Sequence, residues 1–250
     1  MPGTTAPVFL VGELPAGSRA VLDGDEARHA VTVRRMRAGE RLVVSDGKGA
    51  AADCVVDAVR AGRDPALDLV VERRWSEPEP RLRVVVVQAL AKGDRGELAV
   101  ELATEAGADA ILPWRAERSV ARWEEGPRGA KALARWQNTA RAAAKQARRL
   151  WVPEVPEPVD TASLAAAVKD AALALVLEGT AEQRLTTVDL PAEGDLLLVV
   201  GPEGGITDAE LDTLCAAGAI PVRLGPTVLR TSTAAAVALG ALGARTTRWE

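Results

Sequence analysis

Apolar positions in the first third of the chain fall in short β-type runs, Val8–Val11, Arg41–Ser45, Ala52–Val59 and Leu67–Val71. Turn signals such as Asp46-Gly47-Lys48-Gly49 and Ala61-Gly62-Arg63-Asp64-Pro65 separate them, since glycine and proline punctuate extended runs. One stretch of helical spacing, about Asp25 to Arg37, interrupts the series. The pattern predicts a small β-rich domain over residues 1–75. Ser76-Glu77-Pro78-Glu79-Pro80 follows as a stiff polar linker over residues 76–80, of the kind that separates domains.

From residue 81 the pattern changes. Leu82–Val87 is unbroken apolar sequence, as in a strand covered on both faces. Further strands are predicted at Ala110–Leu112, Leu173–Leu177, Leu196–Val200 and Pro221–Leu224. Helices are predicted over Arg95–Ala106, Gly129–Leu150, Ser163–Lys169 and Ser232–Ala244. Thr207-Asp208-Ala209-Glu210 has the spacing of a capping box, opening a helix that ends near Gly218. Such alternation implies an α/β domain over residues 81–250 with a mostly parallel sheet. Connection rules alone lead to an unknotted path.

Composition narrows the function classes. The 250 residues are 48% hydrophobic and 26% charged, an ordinary globular profile. Cys54 and Cys215 lie far apart, with no CxxC or Cys/His cluster, so neither a disulfide framework nor a metal site is expected and a cytoplasmic location is. No run reaches the ~20 apolar residues of a membrane helix, and no signal peptide is evident. The net charge of −4 argues against a nucleic-acid partner until its distribution is considered. Residues 126–153 carry +7 and residues 154–195 carry −7.

Ligands of open α/β sheets sit beyond the carboxyl ends of strands, and three loops there are unusual. Leu177-Glu178-Gly179-Thr180 follows one strand, Gly201-Pro202-Glu203-Gly204-Gly205 the next, and Leu224-Gly225-Pro226-Thr227-Val228-Leu229-Arg230-Thr231 the last. Glycine lets a ligand approach the backbone, and proline fixes loop shape without a donor. Neither GxxxxGK[ST] nor a helix-opening GxGxxG is present, which excludes the common phosphate cradles.

Gly201–Gly205 with Thr207 and Glu210, followed by Leu224–Leu239, resembles the 16S ribosomal RNA (uracil-N3) methyltransferase family, RsmE type, of the SPOUT class. The resemblance extends over nearly the whole chain. Ala91-Lys92-Gly93-Asp94-Arg95, Glu101–Gly107, Glu117-Arg118-Ser119 with Trp123, and Gln146, Arg149 and Pro153 match the family's segments. Gly24, His29, Val33, Arg34 and Gly39 resemble its small RNA-binding domain. The chain departs from the family at Lys145-Gln146-Ala147, where Glu-Gln-Ser is usual, and at Ser232, where Glu is frequent.

The resemblance implies a PUA-like β-barrel followed by a trefoil-knotted methyltransferase domain that holds S-adenosylmethionine. It implies methylation of uracil N3 in 16S rRNA of the small ribosomal subunit, and a homodimer in which the closing alanine-rich helix is a natural interface. Implied cofactor residues are Leu177, Glu178, Gly179, Gly201, Pro202, Gly204, Gly205, Leu224, Gly225, Val228, Leu229 and Thr233. Leu177, Leu224, Val228 and Leu229 would form apolar walls. Arg230 either stabilises the developing uracil anion or braces loop carbonyls. Glu203 either faces the sulfonium end of the cofactor or serves as a helix-start carboxylate. His29, the only histidine, is read as an RNA contact or a local structural group ahead of a catalytic base. Two rivals are a ribose 2′-O methyltransferase of the same class and a noncatalytic RNA-binding assembly factor.

At about 100° per residue, Lys131, Arg135, Asn138, Arg141, Lys145, Arg148 and Arg149 share one sector of the predicted long helix. Such a one-sign stripe suits phosphate contact. A second basic cluster lies at Arg28, Arg34, Arg35, Arg37 and Arg41, and two patches on two domains could clamp a structured RNA. The basic clusters and the family resemblance together give the RNA-contact set Arg28, His29, Arg34, Lys92, Arg118, Arg141, Gln146 and Arg149.

Overall fold

The computed structural model describes residues 6–249. The chain divides into two compact units, residues 1–79 with 144–152, and residues 80–143 with 153–250.

The first unit is built on a five-stranded sheet of order β1-β3-β4-β5-β2. Strands β1 (Val8–Leu10) and β3 (Arg41–Ser45) pair in parallel, and all other pairings are antiparallel. β4 (Ala50–Arg60) and β5 (Ala66–Ser76) form a long hairpin whose register shifts at Asp53/Cys54 and Val56/Ala58. Such bulges increase local twist and bend the strands, curving the sheet over a core of Phe9, Leu42, Val44, Cys54, Val56, Leu67 and Leu69. β2 (Arg19–Leu22) was not apparent in the sequence, because this edge strand buries only Leu22. β5 runs on through Ser76, which pairs with Ala50, so the first linker position belongs to the sheet.

The expected helix from Asp25 is one α-helical turn, α1 (Gly24–Arg28), continued by a wider π-helical turn over His29–Val33. An α-helix continued from buried Ala27 and Ala30 would carry Arg34 toward the core. The wider turn leaves Arg34 exposed and buries Met36.

The second unit holds five parallel strands in the order β10-β8-β9-β6-β7. They are β6 (Leu82–Ala89), β7 (Ala110–Trp114), β8 (Leu173–Leu177), β9 (Gly194–Val200) and β10 (Ile220–Val222). Helices α2 (Arg95–Glu105), α3 (Pro127–Gln146), α4 (Thr161–Asp170), α5 (Asp208–Ala216) and α6 (Thr231–Gly243) complete it. Val84, Val86, Leu196 and Leu198 face Val100 of α2, Trp136 of α3 and Leu239 of α6. Val85, Val87, Leu197 and Val199 face Leu164 of α4 and Leu214 of α5. Both faces of each central strand are therefore apolar, which explains the unbroken runs. Each buried valine or leucine contributes about 1.5–3 kcal/mol.

Two sequence expectations are corrected at α3. The helix ends at Gln146, four residues before Leu150. Arg148 adopts φ +57, and Arg149 N–H reaches Ala144 O at 2.9 Å while Arg148 N–H reaches Lys145 O at 3.1 Å. This is a Schellman stop with arginine in the left-handed position usually held by glycine. Arg148 and Arg149 therefore lie beyond the helix, not on its basic stripe. In addition, residues 144–152 pack with the first unit, although the sequence reading placed them in the second domain. Leu150 joins Val8, Val43 and Ala51 in an apolar cluster, Gly49 N–H donates to Leu150 O, and Val152 N–H donates to Gly47 O.

Alanine-rich α6 lies mostly inside its own unit, packed on α2, because small side chains permit close approach. The family resemblance implies a subunit interface on this helix; among its large hydrophobics Val237 is exposed, at 49%. Beyond it, Arg248 pairs with Asp109 at 2.8 Å, both largely buried, and donates to the carbonyls of Leu82 and Gly107. Among the described residues, no helix is long and apolar enough to cross a membrane, and no group of three or more His, Cys, Asp or Glu side chains could hold a metal.

Candidate functional site

Four strands of the second unit end at one level. Gln88 of β6 is level with Val200 of β9, Val200 with Leu177 of β8, and Leu177 with Val222 of β10. The three glycine loops leave this edge side by side, at a place where the strand order departs from the sequence order.

The loop after β9 is the most tightly built. Gly205, at φ +76, donates its N–H to Pro202 O at 2.9 Å and closes a turn. A side chain at Gly201 would lie 2.7 Å from Ile206 Cγ1, and one at Gly204 would lie 3.2 Å from Arg118 Cβ. Arg118 also donates to Gly204 O at 3.3 Å. These three glycines thus have reasons internal to the fold. Gly179 and Gly225 differ: a Cβ there would meet nothing within 4 Å, and neither has a positive φ. Their backbones do not require glycine, but close approach of a ligand would.

Glu203 receives the N–H of Lys92 at 3.1 Å and lies 3.4 Å from the Arg95 guanidinium. It therefore ties the β9 loop to the β6 loop at the start of α2, as a carboxylate at a helix N-terminus does. Glu178 accepts hydrogen bonds from the N–H and hydroxyl of Thr180 and shapes its own turn. Leu177, Leu224 and Leu229 pack partly buried against the core. Val228, expected in the same apolar wall, is instead 94% exposed, because the loop carries it away from that core. Arg230 is exposed at the N-cap of α6. Its carbonyl accepts the N–H groups of Thr233 and Ala234 and the Thr233 hydroxyl, so Thr233 serves the helix start.

Two residues that sequence reasoning missed join these loops. Thr231 is buried; its hydroxyl donates to Gly201 O at 2.8 Å and accepts from Gln88 Nε2 at 2.9 Å. The available signal was a polar residue at the end of a buried valine run. The capping box, by contrast, is present as expected: Thr207 and Glu210 bond reciprocally. Glu210 also accepts from Glu117 N–H at 2.8 Å and from the Thr161 hydroxyl at 3.0 Å, fixing the segment that carries Arg118.

The departures from the family pattern have local explanations. Lys145, where Glu is usual, forms a largely buried ion pair with Glu26 at 2.7 Å. It is therefore no phosphate-facing charge, and Arg135 is likewise paired with Glu97 at 3.0 Å. Ser232 is buried, so it removes an acid from an enclosed position.

The RNA-contact residues separate by unit. In the first, Arg28 pairs with Asp25 and Arg34 and Gln146 are exposed. Arg149 is half-buried, and His29 packs edge-on against Phe9, with ring centres 6.2 Å apart. In the second, Lys92, Arg118 and Arg141 are exposed, the first two beside the Gly201 loop. Asp160 is held below the usual carboxylate range by hydrogen bonds from Ser163; it caps α4 and is not part of the site.

Residues 77–243 match the RNA methyltransferase domain family, and residues 22–60 match the RNA methyltransferase PUA domain family. Ribosomal RNA small subunit methyltransferase E of Mycobacterium tuberculosis is 53% identical over 250 residues, covering 98% of this chain and 94% of the relative. A putative methyltransferase of Legionella pneumophila, solved with bound S-adenosylmethionine, superposes with a TM-score of 0.85 at 28% identity, over 97% of this chain and 99% of that one. Ribosomal RNA small subunit methyltransferase E of Neisseria gonorrhoeae, also bound to S-adenosylmethionine, gives 0.82 at 26% identity, over 96% and 98%.

Proposed function

The chain belongs to the ribosomal RNA small subunit methyltransferase E family, and from that premise we propose that it methylates N3 of a uridine in 16S rRNA of the small ribosomal subunit, using S-adenosylmethionine. The observation that carries the reading is the alignment of three glycine loops at one strand-end level, with Gly179 and Gly225 facing open space.

The residues present fit that cofactor. Leu177, Leu224 and Leu229 offer apolar surface for a planar adenine. Gly179 and Gly225 admit it to the backbone, whose N–H and C=O groups read its edge. When bound, S-adenosylmethionine supplies an electrophilic methyl group on a sulfonium. The uracil N3 proton must leave before or during attack, and Arg230, exposed at the α6 N-cap, stabilises the anion that forms. Glu203 positions Lys92 and Arg95 rather than reacting. Because opposite charges combine to neutral products, positioning supplies most of the acceleration.

The finer architecture follows the same reading. The chain passes from β10 at one sheet edge back to α6, which packs on α2 and meets β9 and β6; this supports a trefoil knot. The bulged β4–β5 hairpin supports a barrel in the PUA-like unit. Exposed Val237 of α6 and Leu98 of α2, on helices that pack together, support a homodimer. Arg28, Arg34, Gln146 and Arg149 on the first unit, with Lys92, Arg118 and Arg141 on the second, would meet rRNA in the cytoplasm.

The test uses small subunits from a strain lacking this enzyme, incubated with the protein and labelled S-adenosylmethionine. One N3-methyluridine in 16S rRNA is expected, and Arg230→Ala should lower kcat while preserving cofactor affinity. Ribose 2′-O methylation would favour the related enzyme class. RNA binding without methyl transfer would overturn the catalytic reading.

A further inference from the structure

Gln88 ends a row of side chains, Leu82, Val84 and Val86, all buried on the α6 face of the sheet. It is 1% exposed, and burying an amide in such a row costs free energy unless it is hydrogen-bonded. Its Nε2 donates to Ala89 O at 3.1 Å and to Thr231 Oγ1 at 2.9 Å.

The amide orientation is set by its partners. Gly201 O and Ala89 O only accept. Thr231 has one hydroxyl proton, and giving it to Gly201 O leaves the hydroxyl oxygen as an acceptor. The group facing Thr231 and Ala89 must therefore be NH2, and Gln88 Oε1 is directed elsewhere, without a hydrogen-bond partner. The result is a relay with one direction, Gln88 N–H to Thr231 O–H to Gly201 C=O. It crosses from β6 through the first residue of α6 to the loop after β9.

We propose that Gln88 and Thr231 are positioning residues, a clasp that fixes the Gly201–Pro202 peptide relative to Arg230 and so sets the shape of the cofactor site. The proposal rests on the methyltransferase reading. Gly201 carries no side chain to hold it, and Pro202 contributes no N–H. The Thr231 bond therefore restrains the carbonyl end of this peptide. Thr231 directly follows Arg230, so the same hydroxyl also anchors the chain beside the proposed catalytic cation.

The experiment is a calorimetric titration of S-adenosylmethionine, with steady-state kinetics, on the full chain, four single variants and one double variant. Thr231→Val keeps the shape and removes both bonds; Gln88→Leu removes the donor. Each should weaken cofactor binding about tenfold, the scale of one lost buried hydrogen bond. The double variant should be little worse than either single one, because both break one relay. Thr231→Ser retains the hydroxyl and should bind like the parent. Gln88→Glu presents oxygens to two acceptors and should be at least as defective as Gln88→Leu. The clasp is refuted if Thr231→Val binds and turns over like the parent, or if Thr231→Ser is as impaired as Thr231→Val, since packing of the methyl group would then be responsible. Additive losses in the double variant would also refute it. Should Thr231→Val not fold, Gln88→Leu and Thr231→Ser still decide the matter. A parent chain that binds no S-adenosylmethionine would instead overturn the methyltransferase reading.

Discussion

Replacing Glu210 with glutamine tests whether a buried carboxylate, rather than the glycine loops alone, holds the site together. Glu210 is 6% exposed. Its oxygens accept from Glu117 N–H at 2.8 Å, the Thr161 hydroxyl at 3.0 Å, Thr207 N–H at 3.2 Å and the Thr207 hydroxyl at 3.1 Å. An amide has the same shape but only one accepting atom, so turning its NH2 toward either pair leaves at least one backbone N–H unpaired. Stranding a buried donor costs about 1–3 kcal/mol, and the surviving bonds lose their charge assistance. The sum is about 2–3 kcal/mol. At roughly 2–4 °C per kcal/mol for a domain of this size, Tm should fall by roughly 5–10 °C. Calorimetry measures the shift in the transition of the second unit. Amide exchange should accelerate at either Glu117 or Thr207, identifying which donor was stranded. A Tm within about 1 °C of the parent, with both amides still protected, would refute the reasoning.

Arg148→Gly should be more stable than Arg148→Ala by about 0.5–1 kcal/mol, because glycine occupies the φ +57 position without the left-handed penalty; urea midpoints check this. Burial, reinforced by Asp53, pushes the Cys54 thiol from 9.0 up to about 11. Its folded pKa is the higher one, so its stabilising contribution is complete below pH 9 and is lost as pH rises through 11. Denaturation midpoints from pH 8 to 11 should show a decline that Cys54→Ala reduces, the rest including Cys215, whose thiol burial also pushes up, in a chain with no tyrosine to confuse that window. Arg141→Glu should weaken rRNA binding and reduce its salt slope by about 1–2. Lys145→Ala should leave the slope unchanged and lower stability by about 2 kcal/mol, as expected when a largely buried partner charge is left alone; filter binding across salt concentrations separates the two.

What could be read from the sequence followed the range of the forces involved. The valine run of β6 and the Thr207–Glu210 box are local signals, since burial on two faces and a cap each mark a few adjacent positions. β2 was missed because Arg19–Leu22 buries one side chain, too little to produce alternation. The end of α3 was misplaced because Arg148 does not advertise a left-handed turn as glycine would. Lys145 was counted among surface charges because its partner, Glu26, is distant in sequence. Gln88 looked like the end of a strand, and its use depends on a hydroxyl 143 positions away. At the site, the glycine loops were visible. The split between glycines required by packing, such as Gly201, and glycines facing open space, such as Gly179, required coordinates.

The assignment of residues 144–152 to the first unit bears on the order in which the molecule is made. As the chain leaves the ribosome, residues up to Glu79 emerge first, yet the apolar seat formed by Val8, Val43 and Ala51 is filled by Leu150. That filling segment is translated only after β6, α2, β7 and most of α3. The RNA-binding module is therefore not a bead that closes before its neighbour begins. It waits, with an uncovered patch, until much of the catalytic unit has been synthesised. A fragment ending at Glu79 would keep that patch exposed permanently, which makes it a poor choice for expressing the module alone.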